Sequence, residues 1–329
     1  MRIVFFSAKP YDKHFFEELN QSFGHELHFL DVPLHADTAV LARGFEAVCI
    51  FVNDEASAPV IQQLADLNVK LLALRSAGFN HVDLTAAQKH NLKVVRVPSY
   101  SPYSVAEHTL ALVLTLNRKT HRAYNRVREG NFSLNGLMGF DLHGKTVGLI
   151  GLGKIGFATA RIFKGLGCRV LGYDIVQSPE CEEIGINFTD LATIYAESDI
   201  ISLHCPLTAD TFHLINETTL AQVKPGVMLI NTSRGALIDT VAVIEGLKHG
   251  QIGYLGLDVY EEEGDLFFED LSDKVIQDDV FTRLLAFPNV LITGHQAFFT
   301  QNAMHNIAEV TLQNITDFAQ DKNLKNALF

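Results

Sequence analysis

The sequence predicts an α/β fold of two Rossmann-like, doubly wound parallel-sheet domains with a cleft between them. Short unbroken apolar runs alternate with stretches of helical periodicity, as expected of parallel strands covered on both faces. A Gly-x-Gly-x-x-Gly motif sits between one such run and a helical pattern. The chain has 329 residues. That length suits two domains at roughly 100–200 residues each, with one large α/β barrel as the alternative.

Composition narrows the classes. The chain carries 26 Lys and Arg against 38 Asp and Glu, a net charge of −12. This balance argues against nucleic acid or an anionic membrane as the main partner. At 47% apolar and 19% charged residues, the chain can bury a sizeable core and is not of the disordered type. Cys49, Cys168, Cys181 and Cys205 form no CxxC pair and match no zinc spacing, so reduced thiols, no metal and a cytoplasmic location are expected. The N-terminal apolar run is too short for a signal sequence, and no run of 18 apolar residues occurs.

In the first hundred residues the apolar runs are 3–7, 27–30, 47–52, 71–74 and 94–97. Between them, 11–20 and 60–67 carry apolar residues three and four apart, the pattern of helices laid on a sheet. No phosphate-binding glycine motif occurs here, so this unit serves something other than a dinucleotide. Past the fourth run, Arg75-Ser76-Ala77-Gly78-Phe79-Asn80 lies where open α/β sheets bind ligands. Small residues there let backbone N–H groups approach a carboxylate; an ordinary βα turn is the plainer reading. Pro98-Ser99-Tyr100-Ser101-Pro102-Tyr103-Ser104 marks a hinge. Ser104 and Glu107 stand at capping-box spacing before an apolar helix over 105–116.

The strongest local motif follows a basic stretch around 118–128. The run Thr146-Val147-Gly148-Leu149-Ile150 leads into Gly151-Leu152-Gly153-Lys154-Ile155-Gly156, then a helical pattern over 157–166. The next strand, 169–173, ends in Asp174, 23 residues after Gly151. That is the full βαβ setting of a dinucleotide site. Gly151 makes the turn, Gly153 admits the pyrophosphate, and Gly156 lets helix and strand pack. The helix start offers free N–H groups. Asp174 suits the ribose hydroxyls and repels a 2′-phosphate, which favours NAD over NADP. A flavin would use a similar motif.

Four more runs, 199–206, 227–235, 254–260 and 289–295, end in polar groups on the face of the glycine loop. The helix over 301–318 closes the chain, and periodicity does not say which domain it joins. Within this set Arg234, Glu263 and His295 stand out. Hydride transfer to a carbonyl also needs a proton, which histidine is best matched to supply near neutral pH. A carboxylate beside it fixes the ring, and an arginine holds a substrate carboxylate bidentately. Spacing does not separate Glu263 from Glu261 and Glu262, and Arg234 has phosphates or Asp258 as other possible partners.

These residues carry a resemblance. Gly-Leu-Gly-Lys-Ile-Gly at 151–156, Asn-Thr-Ser-Arg-Gly-Ala-Leu-Ile-Asp at 231–239, Gly-Leu-Asp-Val-Tyr-Glu-Glu-Glu at 256–263 and Gly-His-Gln-Ala-Phe-Phe-Thr at 294–300 resemble the D-isomer-specific 2-hydroxyacid dehydrogenases. The likeness spans nearly the whole chain. Arg-Ser-Ala-Gly-Phe-Asn at 75–80, Tyr100 and Asp-Leu-Phe-Phe-Glu-Asp at 265–270 are most similar to the fermentative D-lactate branch found in bacteria. Gly264 stands where many members have proline, which also fits that branch.

The resemblance implies His295 as general acid–base group, Glu263 as its partner, and Arg234 on the carboxylate and carbonyl oxygen of a 2-oxo acid. Arg75 and the backbone at Ala77 and Gly78 would face the substrate, with Tyr100 reaching in from the hinge and Phe299 walling the pocket. Val105, Lys154, Ile155, His204, Cys205, Pro206, Thr232 and Ser233 would line the NAD side, with Arg234 and Asp258 by the nicotinamide. The domains implied are 1–99 plus 297–329, flavodoxin-like and substrate-binding, and 100–296, the NAD-binding Rossmann unit. A homodimer or homotetramer is implied. Alternatives are a dehydrogenase for a bulkier D-2-hydroxy acid and, in another class, a non-enzymatic NAD(H)-sensing corepressor. Both ligands are anions, so the crevice must be locally positive, with Arg234, Arg75 and the helix opening at Gly153 as candidates.

Overall fold

A computed structural model describes residues 1–329; only the side chain of Asp265, first residue of the 265–270 run, lies outside the described residues. The chain divides into two units, Met1–Ser101 with Phe299–Phe329, and Pro102–Phe298. Each crossing falls two residues beyond the position expected from the sequence.

The first unit holds β1 (Arg2–Phe5), β2 (Glu26–Phe29), β3 (Ala47–Ile50), β4 (Leu71–Leu74) and β5 (Lys93–Val95). All pair in parallel in the order β2-β1-β3-β4-β5, the flavodoxin-like arrangement. Every residue of β3 and β4 is buried, which is why their sequences are unbroken apolar runs. Four of the strands stop short of their apolar runs, while β4 fills the run 71–74. Ser7, two residues past β1, already turns at φ 48. The helix Gln301–Ala319 belongs to this unit, packing Ala308, Leu312 and Ile315 against Ile3, Phe5, Leu71 and Val95. Thr300 caps it, its Oγ1 accepting from Ala303 N at 3.2 Å.

The second unit holds β6 (Thr146–Ile150), β7 (Arg169–Tyr173), β8 (Asn187–Phe188), β9 (Ile200–Leu203), β10 (Val227–Asn231), β11 (Ile252–Leu257) and β12 (Val290–Ile292). The order is β12-β11-β10-β9-β6-β7-β8, again all parallel. Counted from β6, this is the dinucleotide-binding order with a seventh strand added at one edge. The reversal in strand order falls between β6 and β9, and ligands of open sheets bind at the carboxyl end of that pair.

Two helix starts differ from the sequence reading. The apolar helix spans Pro102–Arg118, so Ser104 lies buried within its first turn and does not cap it. Proline suits a first helical position, since its φ is fixed and its missing N–H would have had no partner. The helix after the glycine loop begins at Lys154, immediately after Gly153. Among the described residues, no helix is long and apolar enough to cross a membrane.

Candidate active site

The glycine loop is shaped by close approach. Gly151 turns at φ 96, and a Cβ there would meet the His204 carbonyl carbon and Cys205 N at 2.5 Å. A Cβ on Gly156 would stand 2.0 Å from Gly151 O. Nothing lies within 4 Å of a Cβ built on Gly153, and the helix it opens has no side-chain cap. A loop packed tightly behind, open in front and followed by an uncapped helix start fits a pyrophosphate. Asp174, at the end of β7, accepts from Leu152 N at 2.6 Å and from Val176 N at 3.0 Å. Its carboxylate is thus fixed against the loop, with a lone pair on each oxygen to spare.

Behind the loop, His204 N donates to Ile150 O at 2.7 Å. Its Nε2 lies 2.9 Å from Ser202 Oγ, and its Nδ1 is buried without a partner. Burial brings its pKa down to about 4, so the ring is neutral. Burial likewise pushes the Cys205 thiol up to about 11, which makes it an inert wall. Ser233 Oγ donates to Cys205 O at 2.7 Å, and Thr232 Oγ1 lies 3.0 Å from Thr109 Oγ1. Val105 is buried in the helix below and accepts Thr109 Oγ1 at 3.0 Å. Lys154 is exposed, Ile155 is half-buried, and Pro206 O accepts from Thr211 Oγ1 at 2.7 Å.

Strands β10, β11 and β12 are neighbours, and each delivers one polar residue at the same end. Arg234 follows β10, Asp258 follows β11 and His295 follows β12. Backbone bonds continue the ladder past the strands: Asp258 N to Asn231 O at 2.9 Å, and His295 N to Asp258 O at 2.7 Å. His295 sits in the left-handed region at φ 50, a conformation tolerated only where surroundings hold it. Its Nδ1 lies 2.8 Å from Glu263 Oε1, and Glu263 Oε2 accepts from Tyr260 N at 3.0 Å. With Nδ1 carrying the proton toward Glu263, Nε2 is the nitrogen left for chemistry. The structure thus separates Glu263 from Glu261, which is turned to His213 at 2.5 Å.

Arg234 is half-buried, with its Nη1 donating to Ser233 O at 2.7 Å. Asn231 Nδ2 donates to Arg234 O at 2.8 Å and fixes the turn. Gly235 must be glycine, because a Cβ there would overlap the Tyr260 carbonyl at 2.1 Å.

Asp258 anchors the loop that carries His295. It is fully buried, and its carboxylate accepts Thr293 Oγ1 at 2.5 Å, Gln296 N at 2.9 Å and Ala297 N at 2.8 Å. Its carboxylate thereby holds the His295 loop, and Oδ2, bonded to Ala297 N, keeps a lone pair to spare. His108, from the helix Pro102–Arg118, joins at 3.0 Å from Thr293 Oγ1 and 3.3 Å from Asp258 Oδ1. Nothing in the sequence pointed to His108, a polar residue in a helix read as an apolar core element.

Arg75 departs from the sequence reading. It is 1% exposed, not presented to a ligand. Its Nε lies 3.4 Å from Asp12 Oδ1 and its Nη2 donates to Ser7 O at 2.8 Å, with the Phe51 ring 5.1 Å away. A buried guanidinium needs this carboxylate, and that spends its charge inside the unit. Nearby, burial raises the Asp54 carboxyl, which accepts from Ser7 Oγ, Leu34 N and Phe51 N, each at 2.7 Å.

The 76–79 turn stands as expected at the carboxyl end of β4. Its carbonyls are taken up: Ser76 O by Val97 N at 3.1 Å, Ala77 O by Arg96 Nη1 at 2.8 Å, Gly78 O by Ser76 Oγ at 2.8 Å. No bond from the N–H of Ala77 or Gly78 is found among the backbone hydrogen bonds of the described turns and loops. Tyr100 O accepts from Asn306 Nδ2 at 2.6 Å. Phe299 is 47% exposed and meets the Tyr11 ring at 4.7 Å. Tyr11 and Arg96 stand out in no sequence motif, and they meet Phe299 and Ala77 only through contacts distant in the chain.

Comparison with known proteins agrees with this geometry. The family model "D-isomer specific 2-hydroxyacid dehydrogenase, NAD binding domain" matches residues 110–297. The chain is 55% identical to the D-lactate dehydrogenase of Escherichia coli (strain K12) over 328 residues, covering 100% of both. The apo-structure of D-lactate dehydrogenase from Escherichia coli superposes with a TM-score of 0.91 at 52% identity, covering 100% of each chain. The pyruvate reductase of Chlamydomonas reinhardtii superposes with a TM-score of 0.93 at 48% identity, covering 99% of this chain and 98% of that one. The chain belongs to the NAD-dependent D-isomer-specific 2-hydroxyacid dehydrogenases.

Proposed function

We propose that the protein reduces pyruvate to D-lactate. The observation that carries this is the His295–Glu263 pair at 2.8 Å on the strand end next to those of Asp258 and Arg234. Bound NADH supplies the hydride to C2 of the 2-oxo acid. His295 Nε2 delivers the proton to the carbonyl oxygen, and Glu263 stabilises the imidazolium before transfer. Arg234 holds the substrate carboxylate and polarises the carbonyl. The N–H groups of Ala77 and Gly78 are assigned to the carboxylate as well, and Tyr100 and Phe299 to substrate fit. Gly153, the start of the helix Lys154–Gly165 and Asp174 are assigned to the cofactor.

We also assign the protein a homo-oligomeric state. The helix Thr120–Arg128 buries none of its residues, and Phe132, Leu134 and Met138 nearby are 75%, 81% and 85% exposed. Apolar exposure on this scale favours cover by a second copy. Sedimentation velocity tests it, and a monomer at micromolar concentration would refute it.

The test of the activity follows NADH absorbance with pyruvate, 2-oxobutyrate, 2-oxoisocaproate and phenylpyruvate, then the chirality of the product. The expected result is the highest kcat/KM for pyruvate with D-lactate formed. Preference for a bulky side chain would move the protein to another branch of the family. NADH binding without turnover of any 2-oxo acid would make it a sensor.

A further inference from the structure

The loop that carries Glu263 holds a second histidine–carboxylate pair. His213 Nε2 lies 2.5 Å from Glu261 Oε1, and Thr240 Oγ1 donates to Glu261 Oε2 at 3.1 Å. Both members are largely enclosed, with side chains 28% and 21% exposed. His213 is held at φ 48, and its imidazole stacks on the Phe212 ring at 3.9 Å. A left-handed histidine persists only where its surroundings over-determine it.

The partners of this pair are the segments that carry the reacting groups. His213 N donates to Ala236 O at 2.9 Å, Ile215 N to Leu237 O at 3.0 Å, and Asp239 N to Ile215 O at 2.8 Å. The His213 segment is therefore bonded along the turn that begins at Arg234. Gly235 in that turn touches the Tyr260–Glu261 peptide backbone to backbone. On the other side, Glu261 is two residues from Glu263, so one short loop carries both carboxylates. The cavity lined by Asn231, Gly235, Thr240 and Glu261 has a volume of about 10 Å³. That is room for a single water and not for a ligand.

We propose that Glu261, bound by His213 and Thr240, is a positioning residue that locks the Glu263 loop to the Arg234 turn. It touches neither substrate nor cofactor. It fixes where the His295 partner and the substrate-binding arginine stand relative to one another. This rests on the assignment of Arg234, Glu263 and His295 given above.

The test compares Glu261→Ala, Glu261→Gln, His213→Ala and the Glu261→Ala/His213→Ala double variant. The readouts are kcat and KM for the 2-oxo acid and the dissociation constant for NADH. For Glu261→Ala the expected result is a KM raised and a kcat lowered by roughly tenfold each, as small misplacements of reacting groups produce. NADH affinity stays within about twofold, since the glycine loop is untouched. The double variant is no worse than Glu261→Ala, because the two residues act through one bond. Glu261→Gln keeps an acceptor for Thr240 and recovers part of the KM. It also carries the test should the alanine variant fail to fold. A fall in kcat with unchanged KM is what loss of folded enzyme gives, and it would overturn the proposal. So would additive effects or variants that match the wild type. Wild-type protein that turns over no 2-oxo acid would instead overturn the site assignment, and this inference with it.

Discussion

Glu263 holds His295 from one side only. Its Oε1 lies 2.8 Å from Nδ1 while its Oε2 is tied to Tyr260 N at 3.0 Å, so the carboxylate is immobilised and Nε2 is left facing away from it. The Tyr260 hydroxyl in turn donates to Asp278 at 2.7 Å, and burial with that carboxylate raises its pKa. His295 is thus oriented by a chain of fixed bonds and not by the acidic character of the loop alone.

Removing either member of the pair separates chemistry from binding. His295→Gln leaves no group able to exchange the proton, and turnover is expected to fall at least about a thousandfold, within the range for general acid–base groups. Glu263→Gln keeps the shape and loses the charge, with an expected fall of about a hundredfold. NADH affinity, read by fluorescence titration, stays near wild type in both. Near-native turnover in His295→Gln would remove the acid–base assignment.

Arg234→Lys tests bidentate recognition. Lysine keeps the charge but offers a point donor in place of a planar fork. KM for pyruvate is expected to rise by about a hundredfold and kcat to fall as well, because the same group polarises the carbonyl. A normal KM with reduced kcat would show that Arg234 does not hold the carboxylate.

What the sequence made legible follows local physics. The glycine loop and Asp174 were readable because turn, helix start and strand end lie within one βαβ stretch. Arg75 was misread because its partner Asp12 is far away in sequence, and a lone arginine at a strand end looks the same whether it is buried or presented. The choice among Glu261, Glu262 and Glu263 needed coordinates, because residues two apart in a loop diverge in ways that periodicity does not encode.

The buried carboxylate of Asp258 makes a stability prediction. Asp258→Ala strips Thr293 Oγ1, Gln296 N and Ala297 N of their acceptor at once. Leaving a buried donor unpaired costs about 1–3 kcal/mol before relaxation and water entry, and of the three only the Ala297 N–H is fully buried. A net loss of about 1–3 kcal/mol is expected in denaturant unfolding, and turnover should fall because the same loop carries His295. Loss of activity with unchanged stability would argue for direct contact between Asp258 and a ligand.

Asp174 makes a specificity prediction. Its carboxylate is fixed by two N–H groups beside the glycine loop, where a ribose 2′-phosphate would meet a like charge. Asp174→Ala is expected to raise kcat/KM for NADPH by about tenfold and to lower it for NADH by a similar factor. Unchanged preference would place the ribose elsewhere.

His204 links the cofactor loop to pH. Its pKa stands at about 4 because burial penalises the imidazolium, against an ordinary 6.5. The unfolded chain therefore takes up this proton first as pH falls. The stabilisation due to a neutral His204 is fully present above about pH 6.5 and is lost progressively down to about pH 4. Asp54 acts in the opposite sense, since burial raises its carboxyl and acid then favours the folded state through that group. Its contribution is common to any variant that leaves the first unit intact. His204→Gln keeps a polar group within reach of Ser202 Oγ and removes the titration. Thermal melts of the two proteins from pH 7.5 to 4 should show a gap that is largest near neutrality and closes toward acid. A gap constant with pH would mean that His204 matters by shape alone.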